Sequence, residues 1–263
     1  MVEQSIKPSA QAPVKIWGLS DLHLHYATLP NDLDFISEAN EPAWLKNARK
    51  IAKAWAQTVS HNDIVLIPGD LSSARNHAQV QRDLAWLAKR PCGRAVISPG
   101  NHDLWFGRLS GLAKIMRPNQ IALDGNAVDL GPVVICGARS APTPDDPSEQ
   151  GPKTGTPERT AYDKFQKSLE LASSLRDASG IDKPIIALWH HPPFDRWGRP
   201  DPVVGLMAAQ RVHTCVYGHI HTQLQWQSTP QGKIEGIKFI CVAADSIAFQ
   251  PRLVFDLARD IIE

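Results

Sequence analysis

The sequence predicts an α/β fold, and three features carry that prediction. Apolar runs alternate with helical periodicity through the first hundred residues, a βαβαβ order that builds parallel sheet. Each run stops at Ser, Pro or Gly and is followed by Asp or Asn. Hydrophobic residues make up 43% of the 263-residue chain against 21% charged, an ordinary globular composition that can bury a sizeable core.

The elements follow in order. Residues 1–13 are expected as a polar tail and 14–263 as a single domain. Met1 to Lys15 lacks the apolar stretch of a secretory signal. Val14 to Ser20 reads as a strand that delivers Asp21-Leu22-His23-Leu24-His25. After a loop to about Glu41, Pro42 opens a helix whose stripe is Leu45, Ala48, Ile51, Ala52, Trp55 and Val59. The strand Asp63 to Ile67 closes with Pro68-Gly69-Asp70. Val80, Leu84 and Leu87 then mark a helix that ends before Pro91. Ala95 to Ser98 is a third strand, followed by Pro99-Gly100-Asn101-His102-Asp103, where Gly100 lets the backbone turn. Parallel sheets bind ligands beyond the carboxyl ends of their strands, so Asp21, Asp70 and Asn101 are expected in one crevice.

The second half is less regular. A helix is expected over 107–116 and a hairpin about Gly131, between Ala127–Leu130 and Val133–Cys136. Residues 141–157 hold five prolines and read as a long exposed loop, a linker rather than an active-site lid. Tyr162, Phe165, Leu169, Ala172 and Leu175 restore helical periodicity. The strand Pro184 to Trp189 delivers His190-His191-Pro192-Pro193, a short helix spans Val203 to Gln210, and the strand Val212 to Tyr217 ends in Gly218-His219-Ile220-His221. Leu224–Gln227, Ile237–Ala243 and Leu253–Leu257 are expected as antiparallel strands completing a second sheet.

Charge narrows the partners. Net charge is +1 with no basic stripe, so neither nucleic acid nor an anionic membrane surface is the expected partner. No run approaches ~18 apolar residues, so no membrane span is expected. Cys92, Cys136, Cys215 and Cys241 are far apart and are expected as reduced, buried thiols. Together these readings predict a soluble, cytoplasmic protein.

Five polar clusters behind five strands carry the chemistry: Asp21/His23, Asp70, Asn101-His102-Asp103, His190-His191 and His219/His221. Mixed imidazole and oxygen donors suit Mn, Fe, Zn, Co or Ni, and the absence of cysteine argues against a structural zinc site. Pairs spaced i, i+2 reach one ion or straddle two. These donors exceed one ion's need, and a pair ~3.5–4 Å apart sharing a carboxylate accommodates them.

In these blocks the chain resembles the calcineurin-like metallophosphoesterase superfamily, whose pattern is Asp-x-His, Gly-Asp, Gly-Asn-His-Asp/Glu, His, then Gly-His-x-His. All five are present in order between residues 21 and 221. The resemblance implies a four-layer α/β/β/α sandwich with two central mixed sheets and metals at their edge. It assigns Asp21, His23 and His221 to one divalent ion, Asn101, His190 and His219 to a second, and Asp70 to both. His190 is chosen over His191 because the family's ligand lies two residues before the proline.

The implied activity is hydrolysis of a phosphomonoester or phosphodiester of a small soluble substrate, by attack of a metal-bridging hydroxide. His102 is expected to serve the leaving oxygen, with Asp103 holding its ring. Arg75 and Arg139 are candidate phosphate contacts, read first as surface arginines. Trp105 and Trp197 are read first as packing residues, and His25 as peripheral to the first motif. The alternatives are a nuclease of the same superfamily and a non-catalytic scaffold on the same fold.

Overall fold

The computed structural model describes residues 15–30, 40–145 and 151–259. The expected tail, most of the loop before Glu41, and residues 146–150 lie outside them. Helix α1 (Ala43–Thr58) and α2 (His77–Ala88) alternate with β1 (Lys15–Gly18), β2 (Ile64–Pro68) and β3 (Arg94–Ser98). Then come α3 (Leu109–Leu112), β4 (Gln120–Ala122), β5 (Asn126–Asp129), β6 (Val134–Gly137) and α4 (Pro157–Ala178). The chain continues through β7 (Ile185–Leu188), α5 (Pro202–Ala209), β8 (Val212–Tyr217), α6 (Gln223–Ser228), β9 (Gly232–Ile234), β10 (Ile237–Cys241) and β11 (Arg252–Asp256).

The strands form two sheets, ordered β11-β1-β2-β3-β4 and β5-β6-β7-β8-β10-β9. Alternation along each strand builds the layers, because successive side chains point to opposite faces. In β2, Val65 and Ile67 face Leu45, Ile51 and Trp55 of α1 and Leu84 of α2. Ile64 and Leu66 face the other sheet, where they meet Ile186 and Leu188 of β7. Ile185 and Ala187 turn outward against Phe165 and Leu169 of α4 and Met207 of α5. Three apolar cores therefore separate four layers, helix–sheet–sheet–helix, and the α/β/β/α sandwich with two mixed sheets is observed. Burying both faces explains why the strands read as continuous apolar runs.

Helix starts follow local rules. Asn76, Thr156 and Asp201 cap α2, α4 and α5 by accepting from Gln79, Arg159 and Val203 amides, and Pro157 and Pro202 open the last two. The hairpin about Gly131 forms between β5 and β6. All four cysteines are buried and free, including Cys92, which lies in no apolar run.

Several expectations are corrected. Residues 224–227 are helical, because Thr222 and Gln225 form a capping box at the start of α6. β10 lies parallel to β8, and its antiparallel partner is β9, joined through Glu235-Gly236, both at positive φ as a tight two-residue hairpin requires. β11 joins the first sheet antiparallel to β1 rather than the second. The helix expected over 107–116 shortens to α3, and β4 extends the first sheet beyond it.

Candidate metal centre

The five clusters meet at the carboxyl ends of β1, β2, β3, β7 and β8, where the edges of the two sheets face one another. Asp21, His23, Asp70 and His219 all sit at φ between 46° and 68°, the left-handed region that non-glycine residues rarely adopt. Each such residue costs on the order of 1–3 kcal/mol, strain characteristic of functional sites.

Close approach of backbones holds the site together. Gly100 does not use a positive φ, contrary to the expectation of a glycine-enabled bend; it provides space. A Cβ there would lie 2.2 Å from Asp70 Oδ1 and 2.6 Å from Asp70 N. At Gly218 a Cβ would lie 2.2 Å from Ser20 Oγ and 2.4 Å from Asp21 Oδ2.

Two donor triads result. Asp21, His23 and His221 form one, and Asp70, His190 and His219 the other, each with its ligand atoms within 4.8 Å of one another. Asn101 Oδ1 is 3.0 Å from His190 Nε2, and His219 Nδ1 is 3.3 Å from that same nitrogen. Asp70 lies between the triads: its Oδ2 is 3.3 Å from His190 Nε2 and 3.8 Å from His23 Nε2. That oxygen is buried and has no hydrogen-bond partner, whereas Oδ1 accepts from the His102 amide at 2.8 Å.

These residues fit a divalent-cation centre. A buried carboxylate oxygen without a partner is expensive unless a cation completes it. Two of the four histidines commit their outer nitrogens in the way metal-binding imidazoles require. His190 Nδ1 donates to the Pro68 carbonyl at 2.8 Å, and His221 Nδ1 faces Asp245 Oδ2 at 2.8 Å, so each turns Nε2 into the site. The Asp70 carboxyl and the His190 imidazole also act on each other. Burial alone would raise the Asp70 carboxyl, but His190 and the His102 amide outweigh it and hold it well below the usual range. Burial alone would lower His190, yet Asp70 and Asp21 hold it up at about 9.

His191 is buried, its Nδ1 2.6 Å from Ser140 Oγ and its ring 4.2 Å from that of His219. Burial, with His190 and His219, pushes it down to about 2, so it is a neutral packing partner. His102 is exposed, its ring 5.2 Å from that of His23.

Asp103 is corrected. Its carboxylate accepts from Asp70 N at 2.7 Å, Gly100 N at 2.9 Å, Ser72 N at 3.0 Å and Trp105 Nε1 at 2.9 Å, so it builds the turn rather than backing the His102 ring. Trp105 is accordingly a core residue, while Trp197 is 60% exposed beneath the guanidinium groups of Arg196 and Arg199. Arg75 is exposed, as expected. His25 is half-buried and joins neither triad.

Sequence reasoning passed over Ser20, which donates to Asp21 Oδ2 at 2.5 Å, and Asp245. Asp245 was findable, since it follows the apolar run Phe239 to Ala244 as Asp21 follows its own.

Fold and site together define an α/β/β/α sandwich with a candidate divalent-metal centre at the edge of its two sheets. The chain belongs to the calcineurin-like phosphoesterase family, whose model matches residues 14–223. It is similar to the Gene 66 protein of Mycobacterium phage D29, 35% identical over 88 residues, 34% of this chain and 40% of that protein. The Gene 66 protein of Mycobacterium phage L5 is 34% identical over 87 residues, 33% and 39% of the two chains. Both matches span less than half the phage proteins' length. Among solved structures, the purple acid phosphatase PPD1 from yellow lupin (Lupinus luteus) seeds superposes with a TM-score of 0.50 at 16% identity, over 89% of this chain and 45% of that one. That likeness is one of fold. No helix among the described residues is long and apolar enough to cross a membrane.

Proposed function

We propose that residues 14–263 act as one catalytic domain hydrolysing a small phosphate ester, mono or di, at a pair of divalent cations. Asp21, His23 and His221 would hold one cation and Asn101, His190 and His219 the other, with Asp70 shared. When bound, two such ions acidify water and neutralise phosphate oxygens, so that an anionic nucleophile can approach phosphorus. Imidazole and oxygen donors suit Mn, Fe, Zn, Co or Ni.

The observation that carries this reading is Asp70 Oδ2, buried, without a hydrogen bond and within reach of histidines from both triads. The chain's own residues supply the rest. The Asp70 carboxylate orders the turn by accepting from the His102 amide, which sets the exposed imidazole of His102 beside His23. From there His102 delivers a proton to the departing alkoxide oxygen, which otherwise leaves as a strong base.

The test is hydrolysis of bis- and mono-p-nitrophenyl phosphate by the purified protein, with Mn²⁺ and with chelator. Turnover that needs Mn²⁺ is expected, and the ratio of the two rates reports the preference for mono- or diester. No turnover of either ester from acid to alkaline pH refutes the reading.

A further inference from the structure

Arg139 lies outside the five motifs, yet its guanidinium reaches the turn at their centre. Nη1 donates to the Gly100 carbonyl and Nη2 donates to the Asp103 carbonyl at 2.9 Å. These two carbonyls bracket Asn101 and His102. The turn extends from β3 in one sheet and Arg139 from β6 in the other, so the guanidinium ties the two sheet edges at the site. The tie matters for Asn101, which comes from the first sheet but must meet His190, at the end of β7 in the second, at 3.0 Å.

The base of the tie is itself anchored. The Arg139 amide donates to Asp124 Oδ1 at 3.0 Å, and Lys164 Nζ donates to Asp124 Oδ2 at 2.6 Å. The next residue, Ser140, accepts from the His191 amide at 2.9 Å, beside His190. The segment after β6 therefore acts on both sides of the second triad. A planar fork matches two separate carbonyls in a way that a lysine ammonium cannot.

From this geometry we infer that Arg139 is a positioning residue for the cation site formed by Asn101, His190 and His219, acting through the Gly100–Asp103 turn. The inference rests on the reading of that cluster as a cation site. Its consequence is unequal: among the described residues Arg139 makes no hydrogen bond to Asp21, His23 or His221 and reaches their site only through the shared Asp70, so losing it weakens one site more than the other.

The test is Mn²⁺ titration by calorimetry of the metal-stripped full chain, wild type against Arg139→Ala, Arg139→Lys and Arg139→Gln, with circular dichroism to establish folding. Outer residues that orient metal ligands typically account for 10–100-fold in affinity. In Arg139→Ala, one site is expected to weaken by about that factor while the other, which the turn reaches only through Asp70, changes less, and kcat should fall with little change in KM. Arg139→Lys should recover less than a tenth of the loss, because it cannot fork. If Arg139→Ala does not fold, the Lys and Gln variants carry the same comparison. Equal weakening of both sites, or wild-type titrations throughout, overturns the positioning role. A wild-type chain that binds two ions but hydrolyses neither ester refutes the proposed function and leaves the titration result standing.

Discussion

Asp103→Asn separates the structural role of this carboxylate from a catalytic one. The buried Asp103 side chain accepts four N–H groups, two on each oxygen: Ser72 N and Trp105 Nε1 on Oδ1, Asp70 N and Gly100 N on Oδ2. An asparagine amide has one accepting oxygen, so either orientation leaves two buried donors facing an NH₂ group. Each buried unsatisfied donor costs about 1–3 kcal/mol. Burial and the neighbouring Asp70 push the Asp103 carboxyl up, so removing the charge returns part of that cost. The net loss is then roughly 2–5 kcal/mol, and at about 2–4 °C per kcal/mol for a domain of this size Tm falls by roughly 4–20 °C. Thermal denaturation of the metal-loaded protein reads this directly. A variant with wild-type Tm and a large drop in kcat would refute the reasoning, because it would mean that Asp103 serves the His102 ring and not the turn.

Three further outcomes are expected. His102→Ala should retain both metal ions by elemental analysis while kcat falls by about 10²–10⁴, the usual range for a lost general acid; loss of metal would show instead that His102 is a ligand. Asp245→Asn removes the carboxylate that fixes His221 Nδ1, and metal affinity should weaken about 10–100-fold in a competition titration. Chelation should lower Tm, since at about 100 times Kd a bound ion contributes about 2.7 kcal/mol per site; an unchanged melting curve after verified metal removal would contradict a bound centre.

Legibility followed the range of the interactions involved. The first three strands, α1, α2 and α4 could be read because their periodicity is local and strong. The five clusters could be read because parallel sheet places strand ends together, so Asp21, Asp70 and Asn101 needed no contact information to be grouped. Errors fell where an apolar run had no partner visible in sequence. Leu224–Gln227 is too short for period alone to decide, and the signal that decides it is the capping residue Thr222 in front. β11 is a short apolar run like the other strands, and only its pairing with β1 shows which sheet it completes.

The sequence by itself determined the α/β class and the donors available to a cation, because strand period, glycine placement and residue chemistry are properties of neighbours along the chain. What each side chain does with its second atom was decided only in three dimensions. Asp70 offers Oδ2 to both triads because Oδ1 is taken by the His102 amide. Asp103 turned from a partner of His102 into the acceptor for four N–H groups. Arg139 turned from a surface cation into a tie between two sheets. Hydrogen bonds across 30 or more residues leave no periodic trace in a sequence, and they set the roles within this site.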